Sequence, residues 1–147
     1  MRKRKRKIVE LKETNSNEDV LLKQIKNVSE GLYYTSETDA EITPFVGKYS
    51  KAVTKEEILR QTENLPDQPI EERNFADIFE RLTKTQDWFG EEETATAAKF
   101  AALKELLEKN LKDLKVFKIG RIELDVYFVG LNAESVLMGI KTKAVET

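Results

Sequence analysis

After Lys115 the apolar residues change their period, and that change limits the fold classes open to this chain. Upstream, Ala97, Phe100, Leu103, Leu107, Leu111 and Leu114 recur every three or four residues, which puts them on one face of a helix. Downstream, Val116–Ile119 reads as a strand and Gly120-Arg121 as a tight turn. Ile122, Leu124, Val126 and Phe128 then alternate along a second strand. Gly130–Ser135 reads as another turn. On a third strand Val136, Met138 and Ile140 face one way, while Lys141 and Lys143 face the other. A helical stripe and an alternating meander bury their apolar faces in different layers. The pattern predicts an α+β domain with helices packed on an antiparallel sheet.

Earlier segments supply more helices. Leu21, Ile25, Val28 and Leu32 mark the first, opened by Ser16-Asn17-Glu18-Asp19 and stopped near Gly31. Residues 35–47 read as loop with a short strand. Thr54-Lys55-Glu56-Glu57 is a capping-box pattern that opens a short helix through Leu59. Asn64–Pro69 is a loop, because its two prolines break regular structure. Phe75, Ile78, Phe79 and Leu82 mark one face of a further helix. The last helix starts near Glu91, where Glu91, Glu92 and Glu93 suit the partly positive N-terminus. A length of 147 residues suits one domain, expected over residues 17–147, and no internal repeat is visible.

The composition closes several routes to catalysis. With no Cys there is no disulfide framework, thiolate nucleophile or cysteine metal site. With no His, the commonest general base and transition-metal ligand are missing. Serine-protease-like triads, zinc hydrolases and papain-like chemistry are therefore excluded. Acid–base work by Asp, Glu, Lys or Tyr stays open, as does a hard cation bound by oxygen. These counts favour a cytoplasmic binding protein that needs no cofactor over an enzyme.

Charge is unevenly spread. Residues 1–12 hold seven Lys/Arg and one Glu, while the remaining 135 residues carry a net charge of −8. Residues 1–16 read as a disordered basic leader, since like charges repel and nothing there can pack. Contact of that leader with nucleic acid, an anionic membrane or an import receptor stays open. No apolar h-region follows the basic run, so it does not read as a signal peptide. No apolar run approaches the roughly 20 residues that span a bilayer.

Few motifs suggest chemistry. Glu123 and Asp125 lie two apart on a strand, so both carboxylates project from one face, an arrangement used in glycoside hydrolysis but also by plain solvated strands. The glycines follow no phosphate-loop or dinucleotide spacing. Basic residues beyond the leader are interspersed with acids, which argues against nucleic-acid binding by the folded body. Two acidic segments lack any Lys or Arg: Thr35–Gly47, with Glu37, Asp39 and Glu41, and Gln86–Glu93, with Asp87 and Glu91–Glu93. The second also holds Trp88, the single tryptophan. A lone Trp is commonly core, yet this one sits in a polar loop where Phe89 could take the core position. An aromatic flanked by acids suits an anchor in a basic cleft. Val145-Glu146-Thr147 is expected to project as a short tail. A terminal Thr offers a hydroxyl and a carboxylate together to one hard cation.

Taken in order, the motifs resemble the nuclease A inhibitor family, which blocks a Mg²⁺-dependent, sugar-nonspecific DNA/RNA endonuclease. The likeness runs from about Glu18 to Thr147. It is carried by Thr85-Gln86-Asp87-Trp88-Phe89, Ala98-Lys99-Phe100, Ile122-Glu123-Leu124-Asp125-Val126-Tyr127 with Val129-Gly130, and Gly139-Ile140-Lys141-Thr142-Lys143 ending in Val145-Glu146-Thr147. Ser29-Glu30-Gly31-Leu32 and Ser36-Glu37 match more loosely. The resemblance implies an αβα sandwich and a protein that is not an enzyme. It implies that Glu37, Asp87 and Trp88 contact the nuclease one-to-one. It also implies that Thr147 ligates the partner's Mg²⁺, with no metal site in this chain. No membrane association is expected, and the free protein should be a monomer. Two other readings remain: a regulatory interaction domain of the same fold with a different basic partner, and a small hydrolase using Glu123 and Asp125.

Overall fold

The protein is described from a computed structural model, which places residues 17–86 and 88–147. Among the described residues, four helices and two antiparallel sheets alternate. Helix α1 (Asn17–Ser29) leads into the β1–β2 hairpin (Tyr33–Thr35 and Asp39–Glu41) and strand β3 (Thr43–Tyr49). Helix α2 (Lys55–Gln61), strand β4 (Ile70–Asn74) and helix α3 (Phe75–Thr83) follow. Helix α4 (Glu91–Asn110) precedes the meander β5 (Lys112–Gly120), β6 (Glu123–Leu131) and β7 (Val136–Val145). The main sheet has the order β3-β7-β6-β5-β4.

The strand parity explains the layers. Val116, Leu124, Val126, Phe128, Met138, Ile140 and Ala144 share one face with the apolar stripes of α1, α3 and α4. Phe79, Leu103, Leu107 and Phe128 are fully enclosed there. The opposite face holds Phe117, Ile119, Val129, Leu131 and Leu137 beneath Ile58 and Leu59 of α2. Helices thus flank both faces of an antiparallel sheet, the αβα arrangement expected. Thr54 caps α2 by accepting a hydrogen bond from the Glu57 amide at 3.1 Å. The Glu57 carboxylate turns to Arg60 and Gln61 instead of closing the capping box. Gln61 in turn ties α2 to the sheet edge, its Oε1 accepting from the Lys48 amide at 2.7 Å.

Four expectations are corrected. Leu111 and Leu114 are not part of α4. The backbone is already extended at Leu111, and a bulge with Asp113 at φ 57° begins β5. Leu111 is still buried and Leu114 packs against the same core, so the apolar rhythm continues past the end of the helix. Gly130 belongs to β6, and the turn is confined to the residues after Leu131, where Asn132 Oδ1 accepts from the amides of Glu134 and Val136. Residues 35–47, expected as loop with a short strand, hold more strand than that: the end of β1, its turn, all of β2 and most of edge strand β3. Finally, β4 pairs with β5 where no strand was expected. Among the described residues no helix is long and apolar enough to cross a membrane.

Candidate functional site

Register brings the carboxyl end, the β1–β2 turn and the Trp88 loop to one end of the sandwich. Glu123 pairs with Val145, and Gly120 pairs with Leu124, so the tip of β5–β6 and the end of β7 lie together. The Glu37 amide donates to the Val145 carbonyl at 3.2 Å, which adds the hairpin turn. Helix α4 ends at Asn110, which lies beside Asn132 and the start of α1 at the far end of the sheet, so α4 begins away from that end, toward Gly120. Lys99 Nζ reaches the Glu30 carbonyl at 3.3 Å and ties that first half of α4 to the close of α1.

The Trp88 loop is shaped by local hydrogen bonds. Phe89 donates its amide to the Gln86 carbonyl at 3.0 Å, and the Gly90 amide donates to Glu93 Oε1 at 2.9 Å. Phe89 is half-buried, while Trp88 is 75% exposed and meets the Phe89 ring edge-on at 4.7 Å. Asp87 lies outside the described residues. Glu91, Glu92 and Glu93 are exposed on the first turn of α4.

The last three residues do not project as a free tail. Val145 donates its amide to Ser36 Oγ at 2.9 Å, and the Glu146 amide donates to the Ile122 carbonyl at 2.9 Å. The Thr147 amide and hydroxyl both donate to Glu37 Oε2, each at 2.8 Å. Those two bonds, the backbone one first, hold the Glu37 carboxyl below the usual carboxylate range. Glu37 and Thr147, read from sequence as separate partner contacts, are thus bound to each other. Trp88 is brought to the same end but stands on a different loop.

Glu123 and Asp125 do share a face, as the strand spacing implied. They line a shallow depression beside β2, and Asp125 is ion-paired to Lys143 at 2.8 Å. Tyr127, next on that face, has its hydroxyl pKa pushed up by burial and by Asp125. An exposed Glu beside an Asp already engaged by a lysine gives no support to acid–base hydrolysis.

A family model described as nuclease A inhibitor-like protein matches residues 19–147. The chain belongs to the nuclease A inhibitor-like family. No curated protein matches its sequence. In this inhibitor-like protein the sequence had not singled out Ser36, Lys118 or the side chain of Glu146. Lys118 is only 6% exposed, and its Nζ donates to Glu146 Oε2 at 2.7 Å. A signal was present, because Lys118 has the parity of core-facing Val116, and a lysine on a core face needs a partner.

The pair yields a stability prediction. Glu146→Ala strands the Lys118 ammonium and should cost about 1–3 kcal/mol, below the roughly 3–5 kcal/mol of a fully buried pair because Glu146 is 41% exposed. Adding Lys118→Met should recover most of that loss, as urea unfolding of both variants would show. An unchanged midpoint for Glu146→Ala would mean that water already solvates the ammonium.

Proposed function

We propose that this inhibitor-like protein binds a Mg²⁺-dependent, sugar-nonspecific nuclease one-to-one and blocks its active site, acting as a cytoplasmic monomer without catalysis of its own. Glu37, Asp87, Trp88 and Thr147 are the residues assigned to that interface. Family membership supports inhibition of a nuclease, and the observation that carries the site is the exposed Trp88 at the same end as the fastened Thr147. An indole open to solvent and bordered by acids suits a basic cleft built for phosphates. Thr147 also has a donor set suited to a hard cation held by the partner. Its hydroxyl gives its one proton to Glu37, so the oxygen lone pairs stay available beside the carboxylate.

The test is plasmid cleavage by a nonspecific Mg²⁺-dependent nuclease, titrated with the protein and with a variant lacking Thr147. Stoichiometric inhibition that weakens on losing that residue is expected. Equal inhibition by both forms would keep the function and move the affinity to the acidic segments and Trp88. Absence of inhibition across a nuclease panel, with the protein folded, would favour a regulatory domain of the same fold with another basic partner.

A further inference from the structure

The apolar stripe of β6 runs past the end of the core. Leu124, Val126 and Phe128 are buried, whereas Ile122, which has the same parity, is 55% exposed. It lies in the turn between β5 and β6, one residue before β6 begins. Pairing fixes where it stands. Glu123 is opposite Val145, so one step further sets Ile122 opposite Glu146, and the Glu146 amide donates to the Ile122 carbonyl at 2.9 Å. The next residue is Thr147. On the other side Gly120, at φ 120°, pairs with Leu124 and closes the turn. The Ile122 backbone is thus held from both directions while its side chain stands in water. Its parity also puts it on the face of the sheet that carries α4, the helix that follows the Trp88 loop. A branched apolar side chain adds nothing to turn geometry, for which Gly, Asn and Asp are suited. A backbone already fixed loses little freedom when that side chain is covered.

We propose that Ile122 is an apolar contact to the nuclease, packing on its surface beside the place that receives Thr147 and keeping water out of it. This rests on the inhibitor reading and adds a contact of a different chemistry to it. Carboxylates attract a cation or a basic cleft weakly in water and more strongly where water is excluded. The groups that exclude it around an interface hot spot are its neighbours on the same surface. Glu37, Glu146 and Thr147 bring polar atoms to the carboxyl end, and Ile122 brings exposed apolar surface to the same segment.

The test is nuclease titration with Ile122→Ser, Ile122→Asp and Ile122→Leu, with urea unfolding on the same preparations. Ile122→Ser should weaken inhibition about tenfold, and the loss should persist at about 0.5 M salt, because apolar burial is not screened. Ile122→Asp should lose more, although a basic cleft attracts acids. Ile122→Leu keeps the apolar bulk and should stay within about threefold of the unmodified protein. Val20→Ser is the surface control. Val20 is 51% exposed and lines a hollow with Asn132 and Ala133 at the opposite end of the sheet, so inhibition should not change. Full inhibition by Ile122→Ser, or inhibition by Ile122→Asp equal to or better than that of the unmodified protein, overturns the apolar contact. A loss that follows a fall in the unfolding midpoint, in the Ser and Leu variants alike, makes Ile122 a packing residue and overturns it too. If the unmodified protein inhibits while changes at Ile122 are silent, this contact alone fails. If the unmodified protein blocks no nuclease, the inhibitor reading fails and the contact with it.

Discussion

Trp88→Ala should weaken inhibition of the target nuclease by about 30-fold or more, the 2 kcal/mol or greater loss of an interface hot spot. The residue is 75% exposed in the free protein, and its ring leans edge-on against half-buried Phe89. A large apolar surface kept in water at a loop tip is available for transfer into a partner's pocket. The same exposure predicts almost no effect on folding, within about 0.5 kcal/mol. Measuring inhibition by titration and stability by urea unfolding on one preparation separates the two. Full inhibition by the Trp88→Ala variant would remove the indole from the interface, whatever else the family membership implies.

Gly139→Ala should destabilise the protein by more than about 4 kcal/mol, a size reserved for severe steric or strain effects. Gly139 lies inside β7, flanked by Phe45 of β3 and Val129 of β6. An added Cβ would enter the Phe128 carbonyl group and crowd the Val129 Cα, and both are backbone atoms in a paired strand that cannot swing aside. Gly31 provides the control. Its φ of 81° disfavours a side chain, but the nearest atom to an added Cβ is the flexible Lys99 Nζ at 3.6 Å. Gly31→Ala should cost only about 1–2 kcal/mol. Chemical unfolding of the two variants gives the comparison. Similar losses at both positions would mean that the sheet relaxes around the methyl group added to β7.

The switch of hydrophobic period made most of the fold readable. Helices buried along one stripe and strands buried on one face each leave their own spacing in the sequence, so α1, α3, α4 and the final meander were legible. The errors arose where burial and local geometry part company. Leu111 and Leu114 remain in the core after the helix has ended, so their spacing imitates another helical turn. Strand β4 is Ile70-Glu71-Glu72-Arg73-Asn74 at the edge of the sheet, with four exposed polar residues and no alternation to read. At the candidate site, the solvated setting of Trp88 could be inferred from its polar neighbours. The bond between Glu37 and Thr147 could not, because it joins distant residues and leaves no local spacing. The resemblance grouped the two as contacts to a partner and gave no sign that they touch each other.

The strand order has a consequence for how the molecule is made. β3 joins the main sheet only through β7, and β7 is also what fastens the Ser36-Glu37 turn. During synthesis α1, the hairpin and β3 leave the ribosome long before β7 exists, so they wait with an unpaired strand edge. Helix α4 and the β5–β6 hairpin can assemble from neighbouring segments in the meantime. Completion of the sheet and assembly of the Glu37–Thr147 end are therefore the same late event. A nascent chain should not hold Thr147 against Glu37 until β7 slots between its two neighbours.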